Sequence, residues 1–469
     1  MATRLATGTE ETGGSAVDAR FSRGYRGWML FVLAAINMLN LADRQGMAAT
    51  APALKADLHL SDTQLGLIQG FGFAIFYTLL GLPVARLAER FSRTRIIAVS
   101  VVLFAGFVGL CSRAASFTQF LVCRVGVGVG DAGFGPPVAS LVGDHYPAER
   151  RTAATTLIWL GGPVGALLGA GLGGHVAQNY GWRTWFMLLA APSLLIALVA
   201  LFTLREPPRG RFDRRPADDH VPSTMATLRF LFAKRSMRHV LIGCGLAAMG
   251  MNGLGQFLVR FMVADYGIGL AEAGRTLGLL AVAAMASGLA LGGFGVTWAS
   301  RFDRRWAVWA PAIGQALAAP LFIAAAFQPT LARALPLLAL AHVCLFIYFT
   351  PTLALAQNMV GATMRASSSF VVAFVLGLVG IGLGPTVIGL LSDAFARHAF
   401  AAGNFIAACP GGIAPAGATT ALAEACQAAS RSGIVWAIAT MSLVFAWAAV
   451  HYLLAGRDLR RDLDTHYDG

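Results

Sequence analysis

The chain has little charge for its length. Of its 469 residues, 13% are Asp, Glu, Lys or Arg and 57% are hydrophobic, with a mean hydropathy of +0.65. In an ordinary soluble domain, about a quarter of the residues are charged. The scarcity of charge therefore excludes a soluble globular protein and indicates an integral membrane protein.

Motifs of enzyme and metal chemistry are also missing. The six cysteines have no spacing typical of a metal site, and no nucleophile is paired with a neighbouring base. The segment 1–24 lacks an apolar core, so it is not a cleavable signal peptide. We expect a disordered tail there, and we predict no enzymatic activity, no metal and no cofactor.

Acidic residues are scarce beside basic ones: 23 Asp and Glu stand against 36 Lys and Arg, a net charge of +13. This charge does not indicate nucleic acid, because the cations lie beside the ends of apolar runs, in alternate connecting segments. By the positive-inside rule, these segments and both termini lie in the cytoplasm. We expect the protein in a bacterial-type inner membrane. The cations are Arg20, Arg23, Arg26, Arg86, Arg90, Arg93, Arg95, Arg150, Arg151, Arg301, Arg304 and Arg305.

Twelve runs are long enough to cross a bilayer, since a transmembrane helix needs about 20 mainly apolar residues. They predict an all-α membrane protein with twelve spans in two six-helix halves, 25–204 and 238–456. Segment 205–237, rich in Pro and charge, predicts a cytoplasmic linker that ends in an amphipathic helix, and 457–469 a cytoplasmic tail. Spans 1 to 12 are predicted at 26–50, 63–86, 95–113, 117–143, 151–174, 183–204, 238–264, 271–298, 306–327, 334–358, 367–391 and 432–455.

The two halves resemble each other in sequence. The stretch A-E-R-F-S-R-T at 88–94 aligns with A-S-R-F-D-R-R at 299–305, each after the second span of its half. Repeated halves with a site between them are a plan of secondary transporters, in which the halves rock about the site. Three glycines of span 5 also align with three of span 11: Gly165 with Gly380, Gly169 with Gly384 and Gly174 with Gly389.

Charges inside two spans are the clearest functional signal. Span 1 carries Asp43 and Arg44, and span 4 carries Arg124 and Asp131. Each charge costs roughly 2.5–3.5 kcal/mol at the bilayer centre, and seven residues return to nearly the same helix face. The spans run in opposite directions, so the four side chains lie at similar depths and can meet. They form either a static ion cluster or a site that titrates or contacts substrate.

Charges at one end of the spans predict a gate. Glu89, Arg90 and Arg93 directly follow span 2, and Asp144 and Arg151 lie at the end of span 4 and the start of span 5. They are either solvated charges of the positive-inside pattern or a cytoplasmic gate that forms in one transport state.

Polar residues in the second half predict a wall of the substrate cavity. Asn252, Gln256 and Arg260 are four residues apart and share one face of span 7. Span 10 adds His342 and Tyr348. We expect these residues opposite spans 1 and 4, although a lone histidine in a span is more often a hydrogen-bonded structural residue.

Cys409 and Cys426 share the segment 393–431, which the topology places outside the cytoplasm. In an oxidising compartment they can form a disulfide. Two free thiols are the alternative.

Four motifs carry a family resemblance. N-L-A-D-R at 40–44 fits N-x-x-D-R, and A-R-L-A-E-R-F-S-R at 85–93 fits G-x-x-x-D-R-x-x-R with Ala and Glu in place of Gly and Asp. The other two motifs lie in spans 4 and 5. With these motifs the chain resembles the major facilitator superfamily and, within it, the spinster-type transporters. The matching residues of spans 4 and 5 are Arg124, Asp131, Ala132, Gly143 and Asp144, and Pro163, Gly165 and Gly169.

The resemblance implies a proton-driven carrier. Asp43 would be the proton site and Arg44 its partner, while Asp131, which replaces a Glu of the family, would be the coupled acid held by Arg124. Lysolipid or sphingolipid-like substrates, as in animal members of the family, are implied as well, with the proton as coupling ion.

Two other functions are weighed against this carrier. Arg44 and Arg124 would suit a small organic anion, and a non-transporting membrane sensor is the alternative of another class. For a carrier we expect a small amphipathic or anionic substrate and a monomer in contact with membrane lipid.

Overall fold

A computed structural model gives the fold and describes residues 21–208, 224–360 and 365–464. Its regular elements within these ranges are helices, and twelve of them are long and apolar enough to cross a membrane. The predicted fold class, an all-α membrane protein with twelve spans in two six-helix halves, is confirmed. Residues 1–20 of the predicted tail and 209–223 of the predicted linker lie outside the described residues.

The spans of the first half are single helices or pairs of consecutive helices. Span 1 is Arg23–Asp57, span 2 is Asp62–Gln69 and Phe71–Arg90, span 3 is Arg93–Cys111, span 4 is Phe117–Ala132 and Gly135–His145, span 5 is Ala148–Trp159 and Gly161–Tyr180, and span 6 is Trp182–Thr203.

The second half follows a linker helix, Thr224–Ala233, and two of its spans contain a wider π-helical turn. Span 7 is Arg235–Tyr266, span 8 is Leu270–Ala290, Leu291–Gly295 and Val296–Ala299, span 9 is Trp306–Ala326, span 10 is Leu331–Phe346 and Phe349–Asn358, span 11 is Arg365–Val375, Leu376–Leu383 and Gly384–Ala399, and span 12 is Thr420–Asp464.

Spans 11 and 12 run beyond their apolar runs. Span 11 continues to Ala399 and span 12 begins at Thr420, so helices occupy both ends of the segment 393–431. Alanine, which is frequent at these ends, favours helix without requiring a membrane. The short helix Phe405–Ala408 and the turn Pro410–Gly412 lie between the two spans.

Span 4 breaks just after its buried acid. Its first helix ends at Ala132 and its second begins at Gly135. Pro136 and Pro137 have no backbone N–H, so they cannot continue the hydrogen-bond ladder from the preceding turn, but they fit the first turn of a new helix. The break lies directly after Asp131.

The repeated glycines pack in the same way in both halves. Cβ atoms on Gly165 and Gly169 would lie 2.0 Å and 2.4 Å from the carbonyl oxygens of Met38 and Ala42 in span 1. One on Gly384, the counterpart of Gly169, would lie 2.4 Å from the Met249 carbonyl oxygen of span 7. In each half, the glycines thus let span 5 or 11 touch the first span of its own half, as small residues do between membrane helices.

The third glycine of each set contacts the opposite half. A Cβ atom on Gly174 would lie 2.3 Å from the Leu270 carbonyl oxygen at the start of span 8. Its counterpart on Gly389 would lie 2.2 Å from the Asp62 carbonyl oxygen at the start of span 2. The two halves therefore meet at two equivalent backbone contacts, both at the end of the protein that contains Asp62.

We predict that Gly165→Ala lowers the thermal unfolding midpoint of the purified protein, because overpacking costs about 1–3 kcal/mol. This cost exceeds the roughly 1 kcal/mol that alanine gains over glycine in a helix. Gly171→Ala is the matched control, since a Cβ atom there meets nothing within 4 Å. Equal midpoints for the two variants would contradict the close contact between spans 1 and 5.

Candidate coupling site and gates

The four charges of spans 1 and 4 meet in one cluster. The Arg124 Nη1 atom donates to Asp43 Oδ2 at 2.7 Å, and Arg44 forms an ion pair with Asp131. The side-chain amide of Asn40 donates to the other oxygen of Asp131 at 2.6 Å. The charges that the sequence placed at similar depths are therefore paired side chain to side chain.

The pairing differs from the one that the resemblance implies. Asp43 bonds to Arg124 rather than to its neighbour Arg44, and Asp131 bonds to Arg44 rather than to Arg124. Neighbouring residues on a helix point about 100° apart, so adjacent side chains do not face each other. Each therefore takes its partner from span 4, and the shorter Asp131 still reaches Arg44.

Span 2 encloses the cluster with aromatic rings. The Arg44 guanidinium carbon lies 4.7 Å from the centre of the Phe73 ring and 5.1 Å from that of Tyr77. The Arg124 guanidinium carbon lies 5.4 Å from the centre of Phe73. These distances suit cation–π attraction, which is stronger where water is excluded. Neither ring was predicted from the sequence, although Phe73 and Tyr77 are four residues apart on one helix face.

Three polar atoms of the cluster have no hydrogen-bond partner among the described residues. They are Asp43 Oδ1, Arg44 Nε and Arg124 Nε. The Asp43 side chain is 1% exposed, whereas Arg44 is 22% exposed. A buried carboxylate with one oxygen paired and one open can accept a proton without first losing a hydrogen bond.

A second ion network surrounds Arg93. It lies at the end of the spans that the charge-based topology places in the cytoplasm, which we call the inner end. Arg93 bonds to Asp144 and donates to Ser140 Oγ at 3.0 Å and to Glu206 Oε1 at 2.6 Å. Burial raises the pKa of Glu206, but hydrogen bonds from the Thr94 amide and Arg93 outweigh burial and keep this pKa below its usual value. Glu206, which lies three residues after the end of span 6, was not predicted from the sequence.

The other predicted gate residues behave differently. Arg151 donates to the carbonyl oxygens of Gly143 and Tyr146, so it caps the end of span 4. Arg90 is exposed, and the side chain of Glu89 lies outside the described part of the structure.

A third network joins the two halves at the outer end, as we call the end that contains Asp62. The Asp62 carboxylate accepts from Lys55 Nζ at 2.6 Å, from Ser392 Oγ at 2.6 Å and from Arg260. Lys55 and Asp62 belong to the first half, Ser392 and Arg260 to the second. This acid is therefore shared between the halves.

Asp393 adds a second link across the same interface. Its carboxylate accepts from the backbone amides of Asp62 at 2.9 Å and Thr63 at 2.8 Å, and from the Thr63 hydroxyl at 2.6 Å. An acid from span 11 thus caps the first turn of span 2, where unpaired amides and the helix dipole favour negative charge.

The five residues predicted to line the cavity fall into four environments. Asn252 and Gln256 are partly buried on span 7, whereas Arg260 of the same face belongs to the outer ion network. His342 bonds to the Leu338 carbonyl oxygen and packs against Phe322, at 5.0 Å between ring centres. Tyr348 is fully buried in an apolar cluster of the second half. Asn252 and Gln256 are therefore only partly buried, whereas Arg260, His342 and Tyr348 are buried.

Cys409 and Cys426 form a disulfide, with their Cα atoms 5.6 Å apart. It joins the loop after span 11 to the first turns of span 12. Gly411 and Gly412, inside the joined loop, have φ values of +69° and +81°, a left-handed conformation that favours glycine.

The relatives of this chain share its two-half architecture. Residues 33–385 match the family described as the Major Facilitator Superfamily. The chain belongs to the major facilitator superfamily. It is therefore a multi-pass membrane transporter, and its relatives and fold are those of transporters rather than enzymes.

Individual relatives narrow the comparison within the superfamily. A solved bacterial homologue of the human lysosomal transporter Spinster, in an inward-facing and unoccupied conformation, is 29% identical with a TM-score of 0.86 and matches 94% of this chain and 99% of that one. An MFS-type efflux pump of Mycolicibacterium smegmatis is 30% identical over 77% of this chain and 83% of its own length. Protein spinster homolog 1 of Xenopus tropicalis is 30% identical over 40% of this chain and 36% of its own length. The resemblance to spinster-type transporters is confirmed.

We predict that removing both partners of one ion pair costs this transporter less stability than removing one. Arg124→Gln should lower the thermal unfolding midpoint, because loss of one buried partner leaves an unpaired charge at a cost of about 3–5 kcal/mol. Adding Asp43→Asn should restore part of the midpoint. As the control, adding Asp131→Asn to Arg124→Gln should lower the midpoint further, because it leaves Arg44 unpaired. A midpoint restored by Asp131→Asn rather than by Asp43→Asn would contradict the pairing.

A second prediction concerns the inner network. Glu206→Gln should lower the unfolding midpoint at neutral pH, because Arg93 and the Thr94 amide lose their carboxylate partner. The folded-state pKa of Glu206 lies below its usual value, so its contribution is lost as the pH falls through that folded pKa. The difference from wild type should therefore shrink on acidification, as scanning fluorimetry can measure. Glu272→Gln, at an exposed acid, is the control; an equal effect there would exclude a specific role for Glu206.

Proposed function

We propose that this protein is a proton-coupled secondary active transporter that works by alternating access, with Asp43 as the proton site. One observation carries the proposal. Asp43 is buried in a span, has one oxygen on Arg124 and has its other oxygen without a partner among the described residues. Ionisable groups inside membrane helices commonly serve proton relays and substrate pathways.

The pairing gives protonation a mechanical consequence. A proton on Asp43 removes the charge that Arg124 neutralises, and an unpaired buried cation is unfavourable. Arg124 then competes for Asp131, the other acid of the cluster, and loosens the bond between Asp131 and Arg44. Arg44, the most exposed side chain of the four ion-pair residues, responds by changing its partner. Proton binding is thereby linked to the packing of spans 1, 2 and 4.

Contacts between the halves supply the conformational side of the cycle. Asp62 and Asp393 hold the halves together at the outer end through side-chain and backbone bonds. Opening of this end requires these bonds to break, and the backbone contacts of Gly174 and Gly389 must separate with them. Such a closed outer end suits an inward-facing state, the state of the solved bacterial homologue.

For the substrate we propose an amphipathic, lipid-like molecule such as a lysolipid. Two features support this class. The four charges of the cluster cancel in pairs, and the rings of Phe73 and Tyr77 add apolar surface beside them. Asn252 and Gln256 provide neutral polar groups on span 7. A lipid-like molecule with a polar headgroup suits this combination of apolar rings and neutral polar groups.

A small organic anion is the second candidate, supported by the partial exposure of Arg44. An organic anion must compete with Asp131 for Arg44. An amphipathic substrate without such a charge need not compete for Arg44. Exchange of radioactive substrate across liposomes, with lysolipids and dicarboxylates side by side, separates the two classes. Uptake of dicarboxylate alone would replace the lipid proposal.

The same proposal includes the setting of the protein. We infer a bacterial-type inner membrane, both termini in the cytoplasm, a monomer in contact with membrane lipid, and the proton as coupling ion without another cofactor. The alternating positive segments of the sequence support the orientation.

We predict that Asp43→Asn abolishes flux driven by a pH gradient in liposomes. The amide cannot take up a proton at neutral pH, so coupling is lost. Substrate exchange without a gradient should persist, because asparagine nearly matches aspartate in size and shape. Both rates can be measured on the same vesicles.

Asp57→Asn is the matched control, since Asp57 is also an acid of span 1 but is 46% exposed and pairs with Arg183 at 2.5 Å. It should transport like wild type. Gradient-driven flux that survives Asp43→Asn would disprove the coupling role of Asp43.

A further inference from the structure

A cavity of 480 Å³ lies at the outer end, beside the ion network. Residues from both halves line it: Pro52 and Lys55 of span 1, Arg260 of span 7, and Ser430 of span 12. The disulfide-joined loop contributes several residues between Gly411 and Ala418. The cavity is thus separate from the cluster of Asp43 and lies between the two halves.

The charged side chains that line this cavity within the described residues are both cations. Lys55 is 4% exposed and Arg260 is 5% exposed. Their shared acid, Asp62, and the second acid of the network, Asp393, are not among the lining residues. Asp393 is also occupied by the amides of span 2. The wall therefore presents positive charge to the cavity and keeps the negative charge behind it.

The cations retain donors for a ligand. A lysine ammonium has three N–H groups and a guanidinium has five. Asp62 accepts from Lys55, and Asp62, Ser392 and Ser430 accept from Arg260. Arg and Lys together suit the oxygens of a phosphate, which form charge-assisted hydrogen bonds with both.

The joined loop sets the shape of the cavity above Lys55. A Cβ atom on Gly412 would lie 3.1 Å from Lys55 Nζ and 3.0 Å from Ser430 Oγ. Only glycine leaves this approach open, and the bond from Cys409 to Cys426 ties the loop to span 12. Val263, Ala264 and Ile413 add apolar surface next to the cations.

We propose that this cavity is a second ligand site that binds a phosphate group through Lys55 and Arg260. The choice of a lysolipid as the source of that phosphate rests on the proposed function; free inorganic phosphate shares the same chemistry. Because Lys55 belongs to the first half and Arg260 to the second, the bound anion bridges the halves at their outer end.

Binding to the purified full-length protein tests the site. Calorimetry with short-chain lysophosphatidylglycerol is compared with the monoacylglycerol of the same chain, which lacks the phosphate, and with inorganic phosphate. Ala423→Trp fills the cavity without changing its charges, since Ala423 lines it. Ala421→Trp, two residues earlier and exposed, is the matched control.

We expect the lysophospholipid to bind at least about tenfold more tightly than the monoacylglycerol, as hydrogen bonds to charged groups imply. Ala423→Trp should abolish this component and Ala421→Trp should keep it. Arg260→Gln should weaken it about tenfold, which provides a second variant if the tryptophan prevents folding. Binding of inorganic phosphate alone, lost in Ala423→Trp, would support the site with a soluble ligand.

Several outcomes would overturn the proposal. They are equal affinity for the lipid with and without phosphate, unchanged binding in Ala423→Trp, or unchanged binding in Arg260→Gln. Asp43→Asn should leave this binding intact, so loss of pH-driven flux and loss of the outer site are measured independently. A transporter that uses Asp43 as proposed but has no outer site would show the flux loss in Asp43→Asn and would not show phosphate-dependent binding.

Discussion

A charge buried among membrane helices needs a partner, because the surrounding protein and lipid cannot replace its water. This chain meets that need at three depths: around Arg93 at the inner end, in the cluster of Asp43, and around Asp62 at the outer end. The first two networks lie within one half, whereas the third crosses between halves. If the halves separate at the outer end, as we propose, the ion pairs of Asp62 must therefore break. The ion pairs within the first half can stay formed.

In the proposed transport cycle, the glycine contacts allow each half to move as a whole. The repeated glycines of spans 5 and 11 fix the first span of each half by backbone contact, and the last glycine of each set contacts the opposite half. These contacts involve no long, interdigitated side chains. The two backbone surfaces can therefore separate and come together again without rearranging side chains. The side-chain bonds of Asp62 and Asp393 add the specificity that such smooth surfaces lack.

The sequence predicts the fold well, because hydropathy and helical spacing are local signals. It also predicts that the charges of spans 1 and 4 meet, since their depths follow from counting. Which acid meets which base could not be predicted, because the directions of Asp43 and Arg44 depend on where spans 2 and 4 pack. The spacing on span 7 could not predict that Arg260 pairs with Asp62, because Asp62 lies in the other half. Glu206 likewise meets Arg93 only because the chain returns to span 3 after span 6.

The central claim is that the proton on Asp43 controls the opening of the two halves. Spin labels at Ala115 and Thr330, exposed residues at the outer ends of the two halves, report their separation by double electron–electron resonance in nanodiscs after the four free cysteines are replaced. The account predicts that the distance distribution of the wild type shifts with pH and that Asp43→Asn fixes one distribution at every pH. A shift of equal size in Asp43→Asn would contradict it.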